Sequence, residues 1–217
     1  IHYEEIKELR ISLLDFTNEV IKNFNNIMIE SDNSITKMHY NRKKILQQLR
    51  TTEQNFYDLL YAAKKLLDDC KTFGTKPFST MARIAFISST LLKSLEKRHH
   101  VDHEFIESFM NSLITPLSEF QDDYSSHIDN KLSKEQFLKK YGHLRSGTYD
   151  MLAPRYDNDD SFLAQMKFTK NKHRKVFADN KKITNIFLSN SLNFENIDFF
   201  SFVKNSLTQR ERLKFEF

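Results

Sequence analysis

Glycine and proline are scarce, with three of each among 217 residues. Sheets, hairpins and tight loops draw on those residues for their turns, so the shortage argues against a sheet-rich fold and for helices joined by short links. Tryptophan is missing. Cys70 is the lone cysteine; it has no partner for an internal disulfide, cannot alone build a zinc site, and favours a reducing, cytoplasmic compartment. No apolar run approaches the roughly 18 residues that cross a bilayer, which argues against a membrane partner, and the first residues lack a signal-peptide pattern.

What the chain does contain is enough to bury a core: 39% hydrophobic residues, with 20 phenylalanines. Lys and Arg number 33 against 29 Asp and Glu, giving a net charge of +4 with both signs interspersed. Such a balance excludes disorder by charge repulsion and does not by itself argue for a nucleic-acid partner. The chain starts at Ile1 and stops in Lys214-Phe215-Glu216-Phe217, and both ends are expected to be cuts in a longer protein. No repeat and no clear boundary is visible, so residues 1–217 read as one domain.

Apolar residues at Ile6, Leu9, Leu13, Phe16, Val20, Phe24 and Ile27 fall in steps of three and four, the stripe of an amphipathic helix. Ser31-Asp32-Asn33-Ser34 is expected to end it, because those side chains compete for backbone hydrogen bonds. A second helical stretch over 35–73 has a joint at Thr51-Thr52, with a capping box from Thr51 to Gln54. Its core face is expected to carry Phe56, Leu59, Leu60, Ala63, Leu66, Leu67 and Cys70, and Gly74 is expected to close it as a C-cap before Pro77. A helix over 79–97 follows. Asp102 caps another that runs past Tyr124, kinked at Pro116, and Ser133 with Gln136 opens a short one ending at Gly142. Helical spacing returns at Ile183, Ile186 and Phe187, and again from Ile197 to Leu207. The fold class is therefore all-α: an irregular bundle of long antiparallel helices with one ordered loop.

That loop, YGHLRSGTYDMLAPRYD over 141–157, holds two of the three glycines and one proline. Irregular backbone on a helical scaffold is where binding residues concentrate. Arg145 and Arg155 suit forked recognition of a phosphate or carboxylate, and His143 can give a proton or hydrogen bond near neutral pH. The same residues fit a second reading, in which Arg and Asp pair with each other to tie down a crossover.

The segment resembles the "YGHLRPGTYDI…PRYD" element in the helical region of phosphoenolpyruvate synthase-like proteins, the relatives of pyruvate, water dikinase and rifampin phosphotransferase. Residues 74–78 with 82–87 are similar to that family's "GTxPFAxLAR-AFIA" stretch, and residues 209–215 to its "REYxKF" element. Ser146 stands where the family pattern has proline. The resemblance covers about residues 73–217. It implies the acceptor-binding and domain-coupling region of an ATP-dependent phosphotransferase, not catalytic alone, partnered in the same parent chain by an ATP-grasp domain and a swivelling phosphohistidine domain. On that resemblance His143, Arg145, Thr148, Asp150 and Arg155 face a small-molecule acceptor or the docked phosphohistidine domain. ATP and magnesium would belong to the absent ATP-grasp part; this chain itself carries no cofactor site, since Gly74, Gly142 and Gly147 match no phosphate-binding glycine pattern.

Weaker signals are better explained by structure. His99, His100 and His103 cluster without further metal ligands. Asp157-Asn158-Asp159-Asp160 lacks the glycine and closing glutamate of a calcium loop, and reads as turn chemistry. The basic run from Lys167 to Lys182 reads as a solvated helix face. Its alternative is a non-enzymatic helical adaptor or nucleic-acid-binding module.

Overall fold

The computed structural model describes residues 3–51, 53–145, 150, 152–159, 161 and 179–216. Among these residues the fold is all-α, without a strand. The helices are α1 (Tyr3–Thr51), α2 (Phe56–Asp69), α3 (Lys76–Lys97), α4 (His103–Asn111), α5 (Pro116–Ile128), α6 (Lys134–Tyr141), α7 (Asn180–Ser189) and α8 (Phe199–Glu216). A π-helical turn, Cys70–Thr75, joins α2 to α3. No described helix is long and apolar enough to cross a membrane. The chain divides into two compact units, Ile1–Glu107 with Val176–Phe217, and Ser108–Lys175. Helical periodicity carries no mark of that division, because it records which face is apolar and not which helices share a core.

In the first unit, α3 and α8 form the main seam. Ala85 and Ser88 on α3 and Ser206 on α8 are fully buried, and their small side chains let the two helices approach closely. Ser88 Oγ lies 2.7 Å from Ser206 Oγ, and each hydroxyl also reaches the carbonyl three residues earlier at 3.0 Å. One serine donates to the other, whose own proton goes to its helix carbonyl, so both buried hydroxyls are satisfied. Aromatic rings fill the adjoining space: Phe24 meets Phe202 edge-on at 4.8 Å, and Phe187 packs on Phe199 at 4.5 Å.

The expected break at Ser31–Ser34 does not occur; α1 runs through it for 49 residues. Two of the polar side chains there, Ser31 and Asp32, have partners on α8 and need not compete for the α1 backbone. Gln209 Nε2 donates to Ser31 Oγ (3.3 Å) and Asp32 Oδ1 (2.7 Å), and Arg212 pairs with Asp32 at 3.1 Å. Further along, His39 meets Glu216 at 2.7 Å. Several polar residues of the 209–216 stretch thus fasten α8 to α1.

Other helix ends also differ from expectation. The joint near residue 51 exists, but its capping box is Asn55 with Asp58, four residues later, while Thr51 Oγ1 turns back to the Gln47 and Gln48 carbonyls. Gly74 ends nothing: it is buried inside the π turn, which leads directly into α3. Pro77 at the second position of α3 has no N–H, and in a regular helix its ring presses on the carbonyl four residues back; the wider turn relieves that crowding. Pro116 does not kink a long helix but starts α5, with Thr115 and Ser118 as its capping box. The expected core stripe of α2 is largely bare. Phe56 and Leu67 are 71% and 70% exposed, Leu59, Leu60 and Ala63 are exposed, and only Ala62 is buried. Asp102 and the Ser133–Gln136 box cap as expected.

His99, Asn130 and Ser191 take positive φ (58°, 58° and 62°) just after α3, α5 and α7. Each closes a paired reversal; for α7, Leu192 N donates to Phe187 O and Ser191 N to Leu188 O, both at 2.9 Å. Such positions favour glycine, since a side chain there costs about 1–2 kcal/mol. Ser191→Gly should therefore raise stability by about 0.5–1 kcal/mol after its unfolded-state entropy is counted. Differential scanning calorimetry should show Tm rising by about 2 °C; a fall would contradict the assigned turn.

Candidate functional site

The second unit is built on aromatic rings. Phe120 and Tyr124 on α5 meet Phe137 and Tyr141 on α6, with Phe120 4.9 Å from Tyr141 and 5.5 Å from Phe137. Phe137 is fully buried, and His127 stacks on it at 5.6 Å. Tyr156, near the far end of the loop, is buried in the same cluster. The two tyrosines that bracket the 141–157 motif are thus core residues, and they fix both its ends.

Between those anchors the backbone doubles back. Tyr156 N donates to Leu144 O at 2.9 Å and Asp157 N to Gly142 O at 3.1 Å, and Arg145 and Arg155 form an isolated antiparallel bridge. Gly142 has an ordinary φ of −58°, so its need for glycine is steric. A Cβ there would lie 2.4 Å from Leu138 O and 2.9 Å from Asp157 Cβ. A second fastening comes from α5, where Asp123 Oδ2 accepts from both Lys140 Nζ and Tyr141 Oη at 2.7 Å. Burial pushes the Asp123 carboxyl up, but the Lys140 and Tyr141 hydrogen bonds outweigh it and the pKa falls below the usual value. Burial, aided by Asp123, pushes the Tyr141 phenol up to about 12. Asp123 carries no sequence signal that links it to the motif, because an acid on a helix face 18 residues earlier looks like any solvated residue.

The bridge brings Arg145 and Arg155 directly opposite each other, on one side of the paired backbone. Arg145 donates to Ala153 O at 2.7 Å; Arg155 forks onto Asp157 at 2.9 and 2.5 Å. Arg155–Asp157 is thus an ion pair of the kind that ties down a crossover, whereas Arg145 holds backbone. Asp150 accepts from Leu152 N at 2.9 Å, a local turn. His143 is exposed and has no partner among the described residues. Thr148 lies outside the described residues, as do residues 167–175 of the basic run; Lys181 and Lys182 are exposed on the first turn of α7.

Among the described residues no three His, Cys, Asp or Glu side chains gather to hold a metal. Of the histidine cluster, His99 is the left-handed residue after α3, and His103 bonds Glu96 at 2.7 Å, which raises its pKa. The Ser161 hydroxyl, and after it the Ser161 N–H at 3.0 Å, donate to Asp159 in a local turn and lower its pKa. No protein-family model, curated protein or solved structure matches the chain.

Two measurements check this geometry. Gly142→Ala should destabilise the chain by about 2 kcal/mol through the clash with the Leu138 carbonyl, read as a lower denaturation midpoint; an unchanged midpoint would show that the backbone gives way freely. The Asp123 pKa is lowered on folding, so its contribution is present above the unfolded value of 3.8 and is lost as pH falls through the folded one. Tyr141 is raised, so its contribution is present below pH 10 and is lost as pH climbs toward about 12. Asp123→Asn should flatten the acid limb of a Tm-against-pH curve and lower its plateau by about 3 °C, the equivalent of about 1 kcal/mol. An unchanged acid limb would remove Asp123 from the account.

Proposed function

We propose that the chain is the helical acceptor-binding and domain-coupling region of an ATP-dependent phosphotransferase of the phosphoenolpyruvate synthase type, inactive by itself. The observation that supports this reading best is the opposed pair Arg145 and Arg155, in the segment that carries the sequence resemblance. Like charges placed opposite one another repel, and an anion between them relieves the repulsion. A phosphoryl group in transfer, or the carboxylate of an acceptor such as pyruvate, supplies that anion. Arg155 would exchange its fork on Asp157 for one on the ligand, and Arg145 would hold the backbone that places it. His143, exposed beside them, donates a hydrogen bond or a proton to the acceptor. Thr148 and Asp150 complete the acceptor contacts in this proposal. ATP and magnesium would be held by an ATP-grasp domain, and the phosphohistidine would arrive on a swivelling domain; His143 is not that phosphohistidine.

A second reading, a helical adaptor without catalysis, draws on the bare apolar face of α2 with Phe56, Leu59, Leu60 and Leu67 exposed. The two separate in one experiment on the full-length protein. Incubation with ATP labelled at the β-phosphate should leave acid-labile label on a histidine outside these 217 residues. Arg155→Gln should then raise the acceptor KM at least tenfold while leaving that labelling intact. Absence of label from a folded, ATP-binding protein would favour the adaptor.

A further inference from the structure

The first 32 residues hold seven acids, Glu4, Glu5, Glu8, Asp15, Glu19, Glu30 and Asp32. From residue 33 to residue 52 there is none, while Lys37, Arg42, Lys43, Lys44 and Arg50 add five positive charges. An overall charge of +4 hides this local excess. The helix dipole accounts for a cation in the last turn, such as Arg50, but not for those one and two turns earlier.

The helix gathers part of the excess on one face. Arg42, Lys43 and Arg50, with Leu46 and Gln47 between them and His39 at one edge, line an open groove of about 680 Å³. His39 is held by Glu216. Arg42, Lys43 and Arg50 are exposed and make no hydrogen bond or ion pair among the described residues. The carbonyls of Gln47 and Gln48, which would repel an anion at the helix end, accept from the Thr51 hydroxyl at 3.1 and 3.2 Å. Beside Lys43 on the helix surface stands Tyr40, its ring 66% exposed.

We propose that this groove binds the phosphate backbone of a single-stranded nucleic acid. The eight-residue step from Arg42 to Arg50 spreads the cations over about 12 Å of helix axis, which suits a polymer with recurring charges better than one compact anion. Cations that track a backbone, beside an exposed aromatic ring on which a base stacks, are the two parts of single-strand binding. The site is separate from the 141–157 loop and stands whether or not the phosphotransferase reading does.

Fluorescence anisotropy with a labelled 12-nucleotide oligouridylate tests it on the whole chain. Binding at 50 mM salt should weaken with a log–log slope of about −2, as expected for three phosphate contacts on a single strand. R42Q/K43Q/R50Q should bind at least tenfold more weakly with an unchanged Tm, since glutamine keeps the helix propensity of the residues it replaces. A matched set, K22Q/K97Q/K204Q, removes the same charge from other exposed positions and should cost less than twofold. Tyr40→Ala should weaken binding about fivefold or more if a base stacks there. No binding by the wild-type chain, or equal losses in the two triple variants, would overturn the proposal.

Discussion

The chain has to turn its corners almost without glycine, and that constraint shapes both units. Helices end instead on residues that bear side chains in left-handed conformation, His99, Asn130 and Ser191, each held by a pair of backbone hydrogen bonds. They begin on polar side chains that reach the orphan N–H groups of the first turn: Asn55, Asp102, Thr115, Ser133 and Asp179. Where α2 meets α3 there is no break, only a wider π turn that accommodates Pro77. The described glycines are thus freed from capping in left-handed geometry. Gly142 serves where no Cβ fits at all, between the end of α6 and the returning chain at Asp157.

The base of the loop is held with the same economy. Tyr141 and Tyr156 sink into the Phe120–Phe137 cluster, Asp123 fastens Tyr141 from α5, and two backbone hydrogen bonds close the ring. The pinned base fixes the backbone from which His143, Arg145 and Arg155 project. Arg155 is already forked on the Asp157 carboxylate, the geometry that the proposed anion contact would reuse.

Much of the helix inventory was legible in the sequence. Stripes such as Met81, Ile84, Ala85, Ser88 and Leu92 bury as their spacing predicts. What spacing lacks is the identity of the neighbour. The stripe of α2 is as regular, yet it is mostly bare, and α1 continues through Ser31–Ser34, where Gln209 and Arg212, about 180 residues away, hold Ser31 and Asp32. The start of the loop after α6 was legible from Gly142 and the loss of helical period. Its fastening was not: nothing in the sequence marks Tyr141 and Tyr156 as anchors, and Asp123 is brought to Tyr141 only by the packing of α5 on α6. The opposition of Arg145 and Arg155 depends on the backbone pairing, which the nine intervening residues do not announce.

The central claim is that the backbone at the base of the loop is pinned, and amide hydrogen exchange read by NMR tests it most directly. The Tyr156 and Asp157 N–H groups, bonded to Leu144 O and Gly142 O, should exchange at least a hundredfold more slowly than that of exposed His143, which donates no hydrogen bond among the described residues. Exchange of all three at similar, unprotected rates would mean that the loop is not closed in solution, and the arginine pair would lose the frame on which its proposed role rests.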